Sequence, residues 1–122
     1  MPVEFEVADG IIVLRMIDVY TPEDIKKALL QALGDSGAAA PVGLLFDVSH
    51  SRSLRTRSAD DVVAMGYFLA AYADAFAKRV ALVGSDDFPF GMMRMAQVTL
   101  WREGLAAEVF RDEADARKWL LC

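Results

Sequence analysis

The segment DVSHSRSLRTRSADD, Asp47 to Asp61, concentrates the only histidine of the chain, three arginines and four serines, with no acid between Asp47 and Asp60. Those residue types suit hydrolysis, phosphorylation, anion binding or plain solvation of a basic loop. Asp47, Ser49 and His50 are the types of a nucleophilic triad. A triad needs three converging side chains, however, and neighbours on an extended segment point alternately apart. The chain carries no Gly-x-Ser-x-Gly elbow, P-loop or Gly-x-Gly-x-x-Gly fingerprint. His50 therefore reads as a loop histidine and the chain as a non-enzyme. One histidine and the terminal Cys122 supply no zinc set within one chain, and no metal or cofactor is expected.

Anion binding is the sharper alternative. In open α/β sheets, ligands bind outside the carboxyl ends of the strands. Two loops leave such ends: one after Val48, carrying His50, Arg52, Arg55 and Arg57, and one after Gly84, carrying Phe88 and Phe90. The arginines could clamp a phosphate or carboxylate beside free amides at the Ser58 helix start, with the two phenylalanines lining an apolar pocket. The competing reading is a solvated basic loop whose arginines pair with Asp60, Asp61, Asp86 or Asp87. Ser58 reads as a helix cap, since Ser-x-x-Asp approaches a capping box. Ser49, Ser51 and Ser53 carry nothing beyond loop polarity.

These residues must be positioned by a chain of 122 residues, the size of one ordinary domain. Apolar residues make up 55% and charged ones 25%, with 13 basic and 18 acidic side chains for a net charge of −5. That balance argues against nucleic-acid binding, which needs a broad basic surface. The N-terminus MPVEFEVADG shows no secretory pattern, and no apolar run approaches the ~18–20 residues of a membrane span. A cytoplasmic protein with no disulfide is expected.

Val3 to Val7 alternates apolar and acidic residues, Asp9-Gly10 supplies a tight hairpin turn, and Ile11 to Asp18 returns as a second strand. Thr21-Pro22-Glu23-Asp24 opens a helix with a cap, a proline at the first turn and two acids at the positive dipole end. Gly34 is placed to end it. Val42–Val48 and Arg79–Gly84 are short, almost uninterrupted apolar runs, as strands buried on both faces require. A second helix is expected from Ser58 to about Lys78, a third from Asp86 or Asp87 to Gly104, a strand over Leu105–Phe110 and a closing helix from Asp112. The order ββαβαβαβα predicts an α/β fold, with an N-terminal antiparallel hairpin leading into a mostly parallel sheet flanked by four helices.

The hairpin, the helix after Tyr20-Thr21-Pro22-Glu23-Asp24, the strands Leu44-Leu45-Phe46-Asp47 and Arg79-Val80-Ala81-Leu82-Val83-Gly84, and the ending from Val109-Phe110-Arg111-Asp112-Glu113 to Trp119-Leu120 together resemble the SpoIIAA-like, or STAS/Sec14-type, family. The likeness covers essentially the whole chain and implies one SpoIIAA-like βα superhelical domain over 1–122. It also implies kinship with bacterial anti-sigma-factor antagonists. Those relatives are not enzymes; they bind a partner kinase and are phosphorylated on serine in an Asp-Ser-(Ser/Thr)-Gly signature at a helix start. Here the helix starts Thr56-Arg57-Ser58-Ala59-Asp60-Asp61, which departs from that signature. The Sec14-like side of the resemblance implies binding of a lipid or another apolar small molecule.

The second and third helices are too apolar for a surface position. No charge falls between Asp61 and Asp74, and Met92, Met93, Met95, Val98, Leu100 and Trp101 surround only Arg94, Gln97 and Thr99. The surplus predicts a homo-oligomer, a dimer in the simplest case, with Val63, Tyr67, Phe68, Tyr72, Met93 and Trp101 at its interface. The functional expectation is a non-catalytic binding module for an amphipathic anion such as a fatty acid or lipid. The alternative is a protein-interaction regulator of the antagonist type.

Overall fold

The computed structural model describes residues 3–17, 20–35, 41–51 and 58–121. Strands β1 (Val3–Ala8) and β2 (Ile11–Met16) form the hairpin, followed by helix α1 (Pro22–Asp35), strand β3 (Gly43–Asp47), helix α2 (Ala59–Ala70), a 3₁₀ turn (Ala73–Phe76), strand β4 (Arg79–Val83), helix α3 (Asp87–Arg102), strand β5 (Ala106–Phe110) and helix α4 (Glu113–Leu121). The sheet order is β1-β2-β3-β4-β5. Only the β1–β2 pair is antiparallel; the other neighbours are parallel. The expected fold class is therefore observed.

Local chemistry accounts for the hairpin and the caps. Asp9 and Gly10 both take positive φ, 55° and 79°, the conformation that a two-residue turn joining twisted strands demands. The Asp24 amide donates to the Thr21 hydroxyl at 3.2 Å, and the Thr21 amide donates back to the Asp24 carboxylate at 2.9 Å. This reciprocal pair satisfies two of the free amides at the start of α1. The helix runs one residue past Gly34.

The two faces of the sheet are covered unequally. On one face Ile12, Leu14, Leu44, Phe46, Val80 and Leu82 pack with Ile25 and Leu29 of α1, Val62 and Leu69 of α2, and Met93, Ala96 and Leu100 of α3. On the other, Ile11, Val13, Leu45, Ala81 and Val83 meet Ala116 and Leu120 of α4. Strand alternation feeds both cores, so every residue of β3 is buried.

Helix α2 ends at Ala70, eight residues before the expected Lys78. From there the ladder tightens: the Tyr72 amide donates to the Leu69 carbonyl and the Ala75 amide to the Tyr72 carbonyl, the three-residue spacing of a 3₁₀ turn. Ala77 and Lys78 then adopt φ of 57° each and swing the chain into β4. The buried positions Val62, Gly66, Leu69, Ala73 and Phe76 keep helical spacing across the break, so the apolar period does not reveal it.

Candidate functional site

The carboxyl ends of β3, β4 and β5 meet at one edge, as the topology requires. There the Ser49 amide donates to Asp47 Oδ1 at 2.8 Å, and the Ser85 amide donates to the Ser49 hydroxyl at 3.1 Å. These bonds tie together the loops that leave β3 and β4. Phe88 is exposed at the start of α3, Phe90 is half-buried beside it, and His50 is exposed. Arg52, Arg55 and Arg57 lie outside the described residues.

The sequence reading missed Arg111, which directly follows β5. Its guanidinium lies 4.2 Å from the centroid of the Phe90 ring and donates to Asp87 at 2.8 Å and to the Ser85 carbonyl at 3.4 Å. The rule that placed the other loops at the carboxyl edge applies equally to a residue one step beyond β5. Asp87, one of the acids considered for the basic loop, is thus held by Arg111.

The expected site residue types also divide at the start of α2. The Asp61 amide donates to the Ser58 hydroxyl at 3.1 Å, and the Ser58 amide donates to the Asp61 carboxylate at 3.0 Å. The capping box is closed. An anion arriving there would find the Asp61 amide taken and the Asp61 carboxylate in front of it, so the expected cradle of free amides is not offered by these two residues. Ser58→Ala should therefore lower stability by about 1 kcal/mol, measured by urea denaturation. An unchanged midpoint would show that the cap contributes nothing.

A second constellation lies on the α4 face. Glu113, at the first position of α4, receives two hydrogen bonds from Arg15, from Nε at 2.7 Å and from Nη2 at 2.8 Å. Arg15 also donates to Glu6 at 2.7 Å, and Arg117 donates to the same Glu6 oxygen at 3.0 Å. Asp47, only 4% exposed, hydrogen-bonds to Glu113. Burial, reinforced by the Glu113 contact, raises the Asp47 pKa, whereas the Arg15 hydrogen bonds hold Glu113 well below the usual carboxylate range. The arrangement favours one proton shared across the two carboxyls. It fastens α4 to β1, β2 and β3. Asp47 thus has a partner, but the partner is an acid from a distant helix rather than the neighbouring Ser49–His50 pair.

An apolar cavity of about 150 Å³ lies between the start of α1 and α2. Its described lining is Tyr20, Pro22, Ile25, Val62, Ala64, Met65 and Phe68, with Asp61 as the one charged member. Neither Phe88 nor Phe90 belongs to that lining.

The residues expected at an oligomer interface separate into three groups. Tyr67 and Trp101 are 50% and 51% exposed, although the Trp101 indole N–H donates to the Ala107 carbonyl at 2.9 Å. Val63, Phe68 and Tyr72 are half-buried, and the Phe68 and Tyr72 rings meet edge-on at 5.4 Å. Met93 is fully buried in the core of its own chain and does not reach an outer surface. Helices α2 and α3 approach so closely at Gly66 that an added Cβ would stand 2.9 Å from Thr99. This contact consumes part of the apolar surplus that the sequence displays.

Among the described residues, no group of three or more His, Cys, Asp and Glu side chains could hold a metal ion, and no helix is long and apolar enough to cross a membrane. A family model described as SpoIIAA-like matches residues 11–121. No curated protein and no solved structure matches the chain at a significant level.

Proposed function

The chain belongs to the SpoIIAA-like family, and on that premise we propose that it is a non-catalytic, cytoplasmic binding module holding a small apolar or amphipathic molecule. The cavity between α1 and α2 carries the reading: Tyr20, Ile25 and Val62 in its lining are almost fully buried, so a ligand there meets a largely apolar surface of the kind small-molecule sites use. Arg52, Arg55 and Arg57 precede α2 in the chain and would supply the charge for an anionic head group. The module acts as a homo-oligomer, with Tyr67 and Trp101 as its contact residues. The same exposed pair supports a second reading, a regulator that docks a different protein through α2 and α3.

Native mass spectrometry on protein purified without detergent, repeated after denaturation, tests these statements. The expected result is a dimer with an added mass that denaturation releases. A dimer with nothing bound would overturn the ligand assignment and leave self-association. A bare monomer would overturn both assignments and move the exposed aromatic pair to a foreign partner.

A further inference from the structure

We infer that the cavity accepts a compact, ring-sized apolar group and not an extended acyl chain. This rests on the binding reading above and narrows its ligand class. The first argument is size. The volume is about 150 Å³, and an apolar cavity of about that volume stays dry and takes up a single benzene. On the same scale, an acyl chain much longer than about six carbons, the count in benzene, would leave its remainder outside the cavity.

The second argument is the character of the lining. Tyr20 and Phe68 present aromatic surfaces, against which a ring gains edge-to-face contact. Met65 brings a polarizable thioether that also favours aromatic neighbours. Ile25, Val62 and Pro22 complete a surface whose affinity comes from burial. Asp61, the one charged residue among the described lining, already accepts the Ser58 amide, and both flanking helix starts carry acids, Glu23 and Asp24 on α1 and Asp60 and Asp61 on α2. Any carboxylate on the ligand must therefore point away from these four groups.

The test titrates the full chain with toluene, benzoate, hexanoate and decanoate while recording the methyl resonances of Ile25, Val62 and Met65. Saturable shifts with toluene or benzoate are expected, with decanoate no tighter than hexanoate. Tighter binding of benzoate than toluene would assign an anionic head to the ring-sized group, and the reverse order a neutral one. Ala64 is exposed and lines the cavity, so Ala64→Phe fills it from outside the core and should weaken ring binding at least tenfold. Ala64→Leu is a smaller filling variant should the phenylalanine not fold.

Affinity that climbs steadily from hexanoate to decanoate and is lost in Ala64→Phe would overturn the size inference while leaving the binding site in place. Ring binding unaffected by either filling variant would place the ligand elsewhere and overturn the inference. No methyl shift with any probe would remove both the inference and the binding reading on which it rests.

Discussion

Gly84→Ala should destabilise the protein by about 3 kcal/mol, near the top of the range for overpacking a tight interior. Gly84 closes β4 and faces the first turn of α3. A Cβ there would stand 2.7 Å from the Phe90 amide nitrogen, 2.7 Å from the Pro89 carbonyl carbon and 2.9 Å from its oxygen. All three are backbone atoms, so no side-chain rotation relieves the overlap, and α3 must shift as a body. Such a shift would loosen Met93, Ala96 and Leu100, which hold α3 against the sheet, and would draw Phe90 away from Arg111. Gly91, one turn further along α3, has no described atom within 4 Å of an added Cβ. Gly91→Ala should therefore act in the opposite direction and stabilise by about 0.5–1 kcal/mol through helix propensity alone. Urea denaturation of the two variants checks the contrast. A Gly84→Ala midpoint equal to that of the parent chain would show that the start of α3 yields freely.

Asp47→Asn should make the protein more stable than its parent at pH 8 and leave it unchanged near pH 3.5, below the ordinary aspartate value. Burial raises the Asp47 pKa from the ordinary 3.8 to about 6, with the Glu113 hydrogen bond contributing in the same direction. A folded-state acid with a raised pKa binds more protons than the unfolded chain does. Its stabilising contribution is complete below the ordinary aspartate value and is lost as pH rises through about 6. Glu113 has the opposite sign: lowered from 4.5 to about 2 by Arg15, it stabilises above its ordinary value and loses that contribution as pH falls towards 2. The two contributions are therefore jointly largest near pH 4, between the ordinary aspartate and glutamate values, where the folded pair carries one proton.

Above about pH 6 two carboxylates face each other, with Arg15 forked on Glu113, and Arg117 and Glu6 close by. Full expression of the Asp47 rise would be worth roughly 3 kcal/mol. Glu113 remains 24% exposed, and solvent screening reduces the expected effect to about 1–2 kcal/mol. Asparagine keeps the oxygen that accepts the Ser49 amide and offers an N–H to Glu113 without titrating. Stability profiles of both proteins from pH 3.5 to 8 provide the check. Parallel profiles would show that Asp47 does not carry the dependence.

The Asp47 result illustrates how the sequence was misleading. Asp47, Ser49 and His50 look like a chemical unit because they are neighbours in the chain. In the fold, Asp47 turns to α4, Ser49 bridges to the loop after β4, and His50 faces water. The partner of Asp47 is Glu113, which reaches it because α4 packs on that face of the sheet. Glu6 and Arg15 show the same limit. Their alternation along the hairpin puts them on one side, yet nothing in β1 or β2 announces that Glu113 and Arg117 will complete the cluster.

Much of the architecture was nevertheless local and therefore legible. Asp9-Gly10 encodes its own turn, Thr21 with Asp24 and Ser58 with Asp61 encode their own caps, and the apolar runs of β3 and β4 encode strands covered on both sides. Each of those signals acts within about four residues, the reach of a backbone turn and its side chains. The family resemblance was likewise readable, because element order and the terminal segment are properties of the linear chain.

What only the tertiary structure decided are the contacts between segments far apart in the chain: Arg111 over Phe90, Gly84 against Pro89, Gly66 against Thr99, and the cavity between α1 and α2. Helical spacing even concealed one local event, the break after Ala70, because the burial period continued through the 3₁₀ turn. Periodicity states which side of an element is apolar. Which neighbour meets that side, and how closely, depends on strand register and on the small residues that let two backbones approach.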